Sequence, residues 1–225
     1  MILASHQPDF FPYLGYFYKM LRADVFVFSD DVHFSKGKYH NFNYLKGPGG
    51  KQRITMPISY GVKPLSLIPI AATGADRKRL LRTLQCAYSR TPHFDEVCAD
   101  IAAVILDDYD SLAALNICAS TMIAEKLRIG CRLILASELM PEGCKDDRII
   151  NLCQALGANT YFSGRGAAAY HQEEVYRTAG VKLMYSDYRP FTYPQKFGAF
   201  CENLSVLDYL FNCGYVLPEG WDKNE

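Results

Sequence analysis

Hydrophobic and polar positions change period several times along the chain, and each change predicts an element. Ile2-Leu3-Ala4-Ser5 is a short apolar run closed by a Pro-punctuated turn over 6–12. Leu14, Phe17, Tyr18 and Leu21 then fall at i, i+3, i+4 and i+7, which predicts an amphipathic helix. Pro12 suits the first turn of that helix. Val25-Phe26-Val27-Phe28 follows as a continuous β-favouring run, of the kind buried on both faces of a parallel sheet. Strand, helix and strand within about 30 residues make a βαβ unit.

From 35 to 61 the sequence is polar, aromatic and glycine-rich, with Gly47-Pro48-Gly49-Gly50 as a turn and a strand over 53–58 that Pro57 marks as an edge or an end. Three helical stretches follow at 76–88, 94–106 and 112–127 with no strand between them, which predicts a helical insertion. The βα alternation then resumes. Strands are expected at 132–136, 160–162 and 181–185, and helices at 146–156, 173–179 and 204–211, with Gly157 as a C-cap. The fold class predicted is α/β, Rossmann-like, with a mostly parallel sheet and helices on both faces.

Length refines this picture. At about 150 residues per domain, 225 residues predict one α/β domain over 1–225 with its helical insertion at about 75–129. The chain is 49% apolar and 21% charged, as ordinary globular proteins are. Twenty-four Lys plus Arg balance 24 Asp plus Glu, which argues against nucleic acid or an anionic membrane as partner. Charge leaves open a small-molecule or carrier-linked substrate, a phosphate-bearing one included. No export signal or membrane-inserting segment is expected, so the predicted compartment is the cytoplasm. Eight cysteines occur without a Cys-x-x-Cys pair or a close His; no metal site is expected, and the cofactor is left open.

In open α/β sheets ligands bind beyond the carboxyl ends of the strands. Polar residues recur there: Ser5, His6, Gln7 and Asp9 after the first strand, and Ser29, Asp30, Asp31, His33 and Lys36 after the second. Ser137 and Glu138, the Ser163-Gly164-Arg165-Gly166 loop, and Ser186-Asp187-Tyr188 follow the later ones. His6 is the best acid–base candidate, since imidazole titrates near neutrality; the alternative is a histidine satisfying the backbone of its own turn. Asp30 and Asp31 suit a cation, a substrate hydroxyl or base chemistry, or else cap a turn or helix. Lys36, Lys38 and Lys46 with His40, Asn41 and Asn43 suit a phosphate or a sugar, against a surface loop anchored by aromatics. The 163–166 loop suits an anion, against a plain turn. Cys213 is a nucleophile candidate, against a buried structural thiol.

These residues resemble the WbqC-like family. His6-Gln7-Pro8, Leu14-Gly15-Tyr16-Phe17, Ala23-Asp24-Val25-Phe26-Val27 and Asp30-Asp31-Val32 with Phe34-Ser35-Lys36 fit its opening, as do Asn41 and Asn43. Leu156-Gly157-Ala158, Thr160-Tyr161, Ser163-Gly164, Tyr193-Pro194-Gln195, Leu204-Ser205-Val206-Leu207-Asp208 and Leu210-Phe211-Asn212-Cys213-Gly214 continue it in order, from residue 2 to 214. The helical middle matches least. The resemblance implies a bacterial protein of O-antigen or other surface-polysaccharide biosynthesis and a role in acyl or aminoacyl transfer to amino sugars. It also carries over His6, Gln7, Asp30, Asp31, Lys36, Asn41, Asn43, Ser163 and Asn212 as site positions.

In the resulting expectation His6, Asp30, Asp31 and Lys36 are catalytic. His6 deprotonates the acceptor, Asp30 or Asp31 orients His6 or a substrate cation, and Lys36 with the 163–166 loop holds a phosphate or carbonyl oxygen. Gln7, Tyr13, Asn41, Asn43, Ser163, Gly164, Arg165 and Asn212 bind substrate. A weaker echo comes from Phe11-Pro12-Tyr13-Leu14-Gly15-Tyr16, which is similar to the His-x-Gly-His turn of nucleotidyltransferases and pantothenate-synthetase-like ligases, with Tyr13 and Tyr16 at both histidine positions. That alternative predicts ATP at this turn. A third alternative is a non-catalytic protein that docks a sugar nucleotide or a pathway enzyme.

Overall fold

The computed structural model describes residues 1–221. Strands β1 (Ile2–His6), β2 (Val25–Phe28), β5 (Arg132–Leu135), β6 (Thr160–Ser163) and β7 (Lys182–Tyr185) form one parallel sheet in the order β5-β2-β1-β6-β7. β3 (Phe42–Gly47) and β4 (Gly50–Thr55) pair antiparallel as a separate hairpin. The helices are α1 (Leu14–Arg22), α2 (Gly74–Tyr88), α3 (Phe94–Leu106), α4 (Leu112–Lys126), α5 (Ala136–Leu139), α6 (Lys145–Leu156), α7 (Glu173–Thr178) and α8 (Val206–Cys213). The strand order reverses at β1, between β2 and β6, which is where an open parallel sheet leaves a crevice beyond its carboxyl ends.

The continuous apolar run of β2 serves both faces of the sheet. Side chains alternate across a strand, so Val25 and Val27 join Leu3, Ile134 and Tyr161 in a cluster with Ile150, Leu152 and Cys153 of α6 and Tyr176 of α7. Phe26 and Phe28 point the other way, into a larger cluster with Phe17 and Met20 of α1 and Leu210 and Phe211 of α8. That second cluster also takes in Leu80 and Leu84 of α2, Ile101 and Ile105 of α3, and Leu115 and Ile123 of α4. The helical stretch between β4 and β5 therefore packs into the same apolar mass as the sheet.

Several boundaries depart from the sequence expectation for identifiable reasons. α1 begins at Leu14 with Tyr13 as its N-cap, so Pro12 precedes the helix instead of lying in its first turn, and every residue from Leu14 to Leu21 is buried. α2 begins two residues early because Thr73 and Asp76 close a reciprocal capping box. β4 starts at Gly50 and ends before Pro57, whose missing N–H suits the strand's exit. β3 was expected as loop because polar residues occupy its buried positions: Asn43 and Lys46 are 3% and 2% exposed. Gly157 does close α6 in the left-handed conformation, at φ +68°.

Candidate active site

A cleft of about 580 Å³ opens at the carboxyl ends of β1 and β6, in the size range of small-ligand pockets. Ser5, His6 and Gln7 form one wall, Ser163, Gly164, Arg165 and Gly166 another, and Tyr13, Gly15, Tyr16 and Lys19 of the α1 region its floor and rim. A second hollow of about 540 Å³ shares His6, Gln7 and Tyr13 and adds Asp9, Lys38, Tyr39, Asn43 and Asn203.

His6 owes its position to an unusually well-tied turn. Gln7 O meets His6 Nδ1 at 3.0 Å and accepts from the Tyr16 hydroxyl at 3.2 Å. Pro8 O accepts from Asn116 of α4 at 2.9 Å, Phe10 O and Phe11 O from Asn43 at 3.2 and 2.8 Å, and Pro12 O from the Val206 amide at 2.8 Å. A buried turn has to satisfy its carbonyls, and here side chains from α4 and β3 and the start of α8 do so. Burial lowers the His6 pKa from 6.5, with Asp9 at 3.8 Å opposing and Lys19 assisting. His6 lies deep in the fold, yet 36% of its side-chain surface faces open space, so water moderates that push. Asp9 is buried and accepts a 2.9 Å hydrogen bond from Nδ1 of the fully buried His40.

The cleft wall is cationic. Lys19, Lys145, Arg148 and Arg165 line it, and none of its lining residues is Asp or Glu. Lys19 is 6% exposed, donates to Ser5 O at 2.6 Å, and burial lowers its ammonium pKa to about 8.

On the β6 side three side chains form a chain. The Ser163 hydroxyl is 2.8 Å from Nε2 of His171, and Nδ1 of His171 is 2.6 Å from Oδ1 of Asp146. Asp146 also accepts from the Gln172 amide and the Tyr176 hydroxyl, both at 2.9 Å. Burial would raise the Asp146 carboxyl, but the hydrogen bonds from His171, Gln172 and Tyr176 outweigh it and hold its pKa below 3.8. Since a carboxylate only accepts, Nδ1 of His171 carries a proton toward Asp146, and Nε2 is the ring atom paired with the Ser163 hydroxyl.

Of the residues expected from sequence, the cleft gathers His6, Gln7, Tyr13, Ser163, Gly164 and Arg165. Asp30 and Asp31 are turned elsewhere. Asp30 is 3% exposed and accepts from the Ser137 amide in the first turn of α5, which is the capping alternative. Asp31 forms a 2.5 Å ion pair with Arg148, holding that guanidinium from behind the cleft wall. Asp9, rather than either of these, is the carboxylate nearest His6. Lys36 is exposed and lines neither hollow. Asn41 donates to Met56 O, Asn43 braces the 6–12 turn, and Asn212 donates to Asp208 O within α8. Lys46 turns inward to the carbonyls of Gly198 and Ala199. Residues 40–46 are thus largely internal scaffolding, whereas 36–39 are exposed and Lys38 and Tyr39 line the second hollow. Burial pushes the half-buried Cys213 thiol up to about 11, away from an activated nucleophile.

Sequence reasoning did not find His171, Asp146 or Lys19 as site residues. His171 lies eight residues past Ser163 and 25 past Asp146, spacings no local periodicity links. Lys19 did carry a signal, as a charge within an otherwise apolar helix. Among the described residues, no group of three His, Cys, Asp or Glu is arranged to hold a metal ion, and no helix is long and apolar enough to cross a membrane.

The architecture is that of an open parallel α/β sheet with a cationic, histidine-bearing cleft at its switch point. Residues 7–217 match the WbqC-like protein family, and the chain belongs to it. It is also 31% identical over 221 residues to the uncharacterized protein Rv1507c of Mycobacterium tuberculosis, covering 96% of each chain. No solved structure matches.

Proposed function

We propose that this protein is a cytoplasmic enzyme of bacterial surface-polysaccharide biosynthesis that transfers an acyl or aminoacyl group to an amino sugar carried on a nucleotide. The observation that carries the reading is the cleft wall itself: four cationic side chains, no carboxylate, and His6 beside them. Cations suit the pyrophosphate of a sugar nucleotide. Arg165 and Lys145 face it first; Arg148 is partly neutralised by Asp31. The amine of an amino sugar arrives as an ammonium at neutral pH. His6, kept below its ordinary pKa by burial, is a neutral imidazole there and takes that proton to release the nucleophilic amine. In this reading Asp9 takes the orienting role expected of Asp30 or Asp31, and the cationic wall takes the one expected of Lys36.

Thermal shift on the purified protein tests this directly. A ligand at about 100 times its dissociation constant adds about 2.7 kcal/mol of stability. UDP- or dTDP-amino sugars should raise the Tm, and Arg165→Ala should remove most of the rise. A panel in which no sugar nucleotide shifts the Tm would end the reading. A second reading, a nucleotide-dependent nucleotidyltransferase or adenylate-forming ligase, is favoured by one observation: Tyr13 and Tyr16, at the turn that resembles an ATP-contacting motif, both line the cleft. It predicts stabilisation by ATP with magnesium in place of the sugar nucleotide.

A further inference from the structure

We propose that Ser163 is a nucleophile, that His171 is its proton acceptor and Asp146 the group that positions His171, so that the acyl group travels through an ester on Ser163 Oγ. The inference rests on the acyl-transfer reading for the identity of the donor, but the activation of the serine stands on the side chains alone.

Three features of the chain favour proton relay over simple bracing. The order of hydrogen bonds is directional: the Asp146 carboxylate fixes the Nδ1–H tautomer of His171, and Nε2 is then free to take the Ser163 proton at 2.8 Å. Asp146 is itself immobilised by the Gln172 amide and the Tyr176 hydroxyl, so the imidazole is held from behind. His171 and Asp146 side chains are only 6% and 12% exposed, which shields the relay from water. Ser163 sits at the carboxyl end of β6 among the residues lining the cleft, with 1% of its surface exposed. Nucleophile, base and orienting carboxylate in hydrogen-bond series are the arrangement that activates an alcohol.

The chemistry balances with an acyl thioester as donor and an amine as acceptor. Ser163 Oγ bonds to the thioester carbonyl carbon while its proton passes to Nε2 of His171. The C–S bond breaks, and the thiolate leaves with that proton as a thiol. The amine, already relieved of one proton by His6, attacks the serine ester. Its second proton passes to Nε2 of His171 and on to Ser163 Oγ as the C–O bond breaks, which yields the amide and restores the free serine. Two protons leave the acceptor, and two histidines line the cleft to take them.

A fluorophosphonate probe tests the serine without knowledge of the substrate. Intact-mass and peptide mass spectrometry of the wild-type protein should find a single covalent adduct on Ser163, absent in Ser163→Ala. His171→Gln should slow labelling at least about 100-fold, and Asp146→Asn less steeply. If Ser163→Ala fails to fold, the peptide map of the wild type decides alone. No adduct on Ser163, or labelling in His171→Gln as fast as in wild type, would overturn the proposal. Failure of the polysaccharide reading is separately visible: labelling at Ser163 with a flat sugar-nucleotide panel keeps the nucleophile and removes the amino-sugar acceptor.

Discussion

Lys19 donates from Nζ to the carbonyl oxygen of Ser5 at 2.6 Å, joining α1 to the end of β1 directly beneath the cleft. Burial pulls its pKa from 10.5 to about 8, so the folded protein binds this proton less tightly than the unfolded chain does. The destabilisation is therefore complete below about pH 8 and disappears as pH rises toward 10.5. Relative to Lys19→Met, wild type should gain up to about 3 kcal/mol between pH 7 and pH 10.5, read from paired urea melts. Anion binding should weaken above pH 8 in wild type and lack that step in the variant.

Gly15 gives the ring of Tyr13 its place. A Cβ there would stand 2.3 Å from Cε2 of that ring, which is a side-chain tip and can swing away. Gly15→Ala should keep or slightly raise the Tm, since alanine favours a helix over glycine by about 1 kcal/mol. The displaced ring should cost about tenfold in ligand affinity, a contact of about 1.4 kcal/mol. Calorimetric titration of the ligand that emerges from the thermal-shift panel is the check.

Asp30 should behave as a cap. Asp30→Ala frees the Ser137 amide at the start of α5 and should cost about 1 kcal/mol of stability. The fluorophosphonate labelling rate and ligand affinity should stay at wild-type values. A loss of either without a stability change would restore the catalytic assignment.

Asp146 should shape the acid limb of stability. Its folded pKa lies below 3.8, so its contribution is fully present above that value and is lost as pH falls through the folded one. Asp146→Asn should lower stability at pH 7 and flatten the pH dependence below pH 4, measured by chemical denaturation from pH 7 to pH 2.5.

Cys213 should be inert. With its thiol near 11, alkylation by iodoacetamide at pH 8 should be much slower than at the exposed Cys86, Cys118 and Cys144. Cys213→Ala should leave ligand binding unchanged.

The periodicity of the chain was enough to predict β2, β6, the helices of the middle segment and the Gly157 stop, because each reflects a local pattern of burial or backbone freedom. The βα alternation also predicted where a cleft belongs, and His6, Gln7, Tyr13 and the 163–165 loop line it. Other assignments required the packed fold. Asn43, a candidate ligand-binding amide, satisfies two carbonyls of a turn 32 and 33 residues away and also lines the second hollow. Asp31 looked like a base and instead meets Arg148, 117 residues on. Ser163, His171 and Asp146 come from the end of β6, the approach to α7 and the start of α6, and only the packing of α6 and α7 on one face of the sheet aligns them. Local sequence dictates which residues are buried and which backbone shapes are allowed; which distant polar groups then satisfy one another is decided by the geometry of the assembled elements.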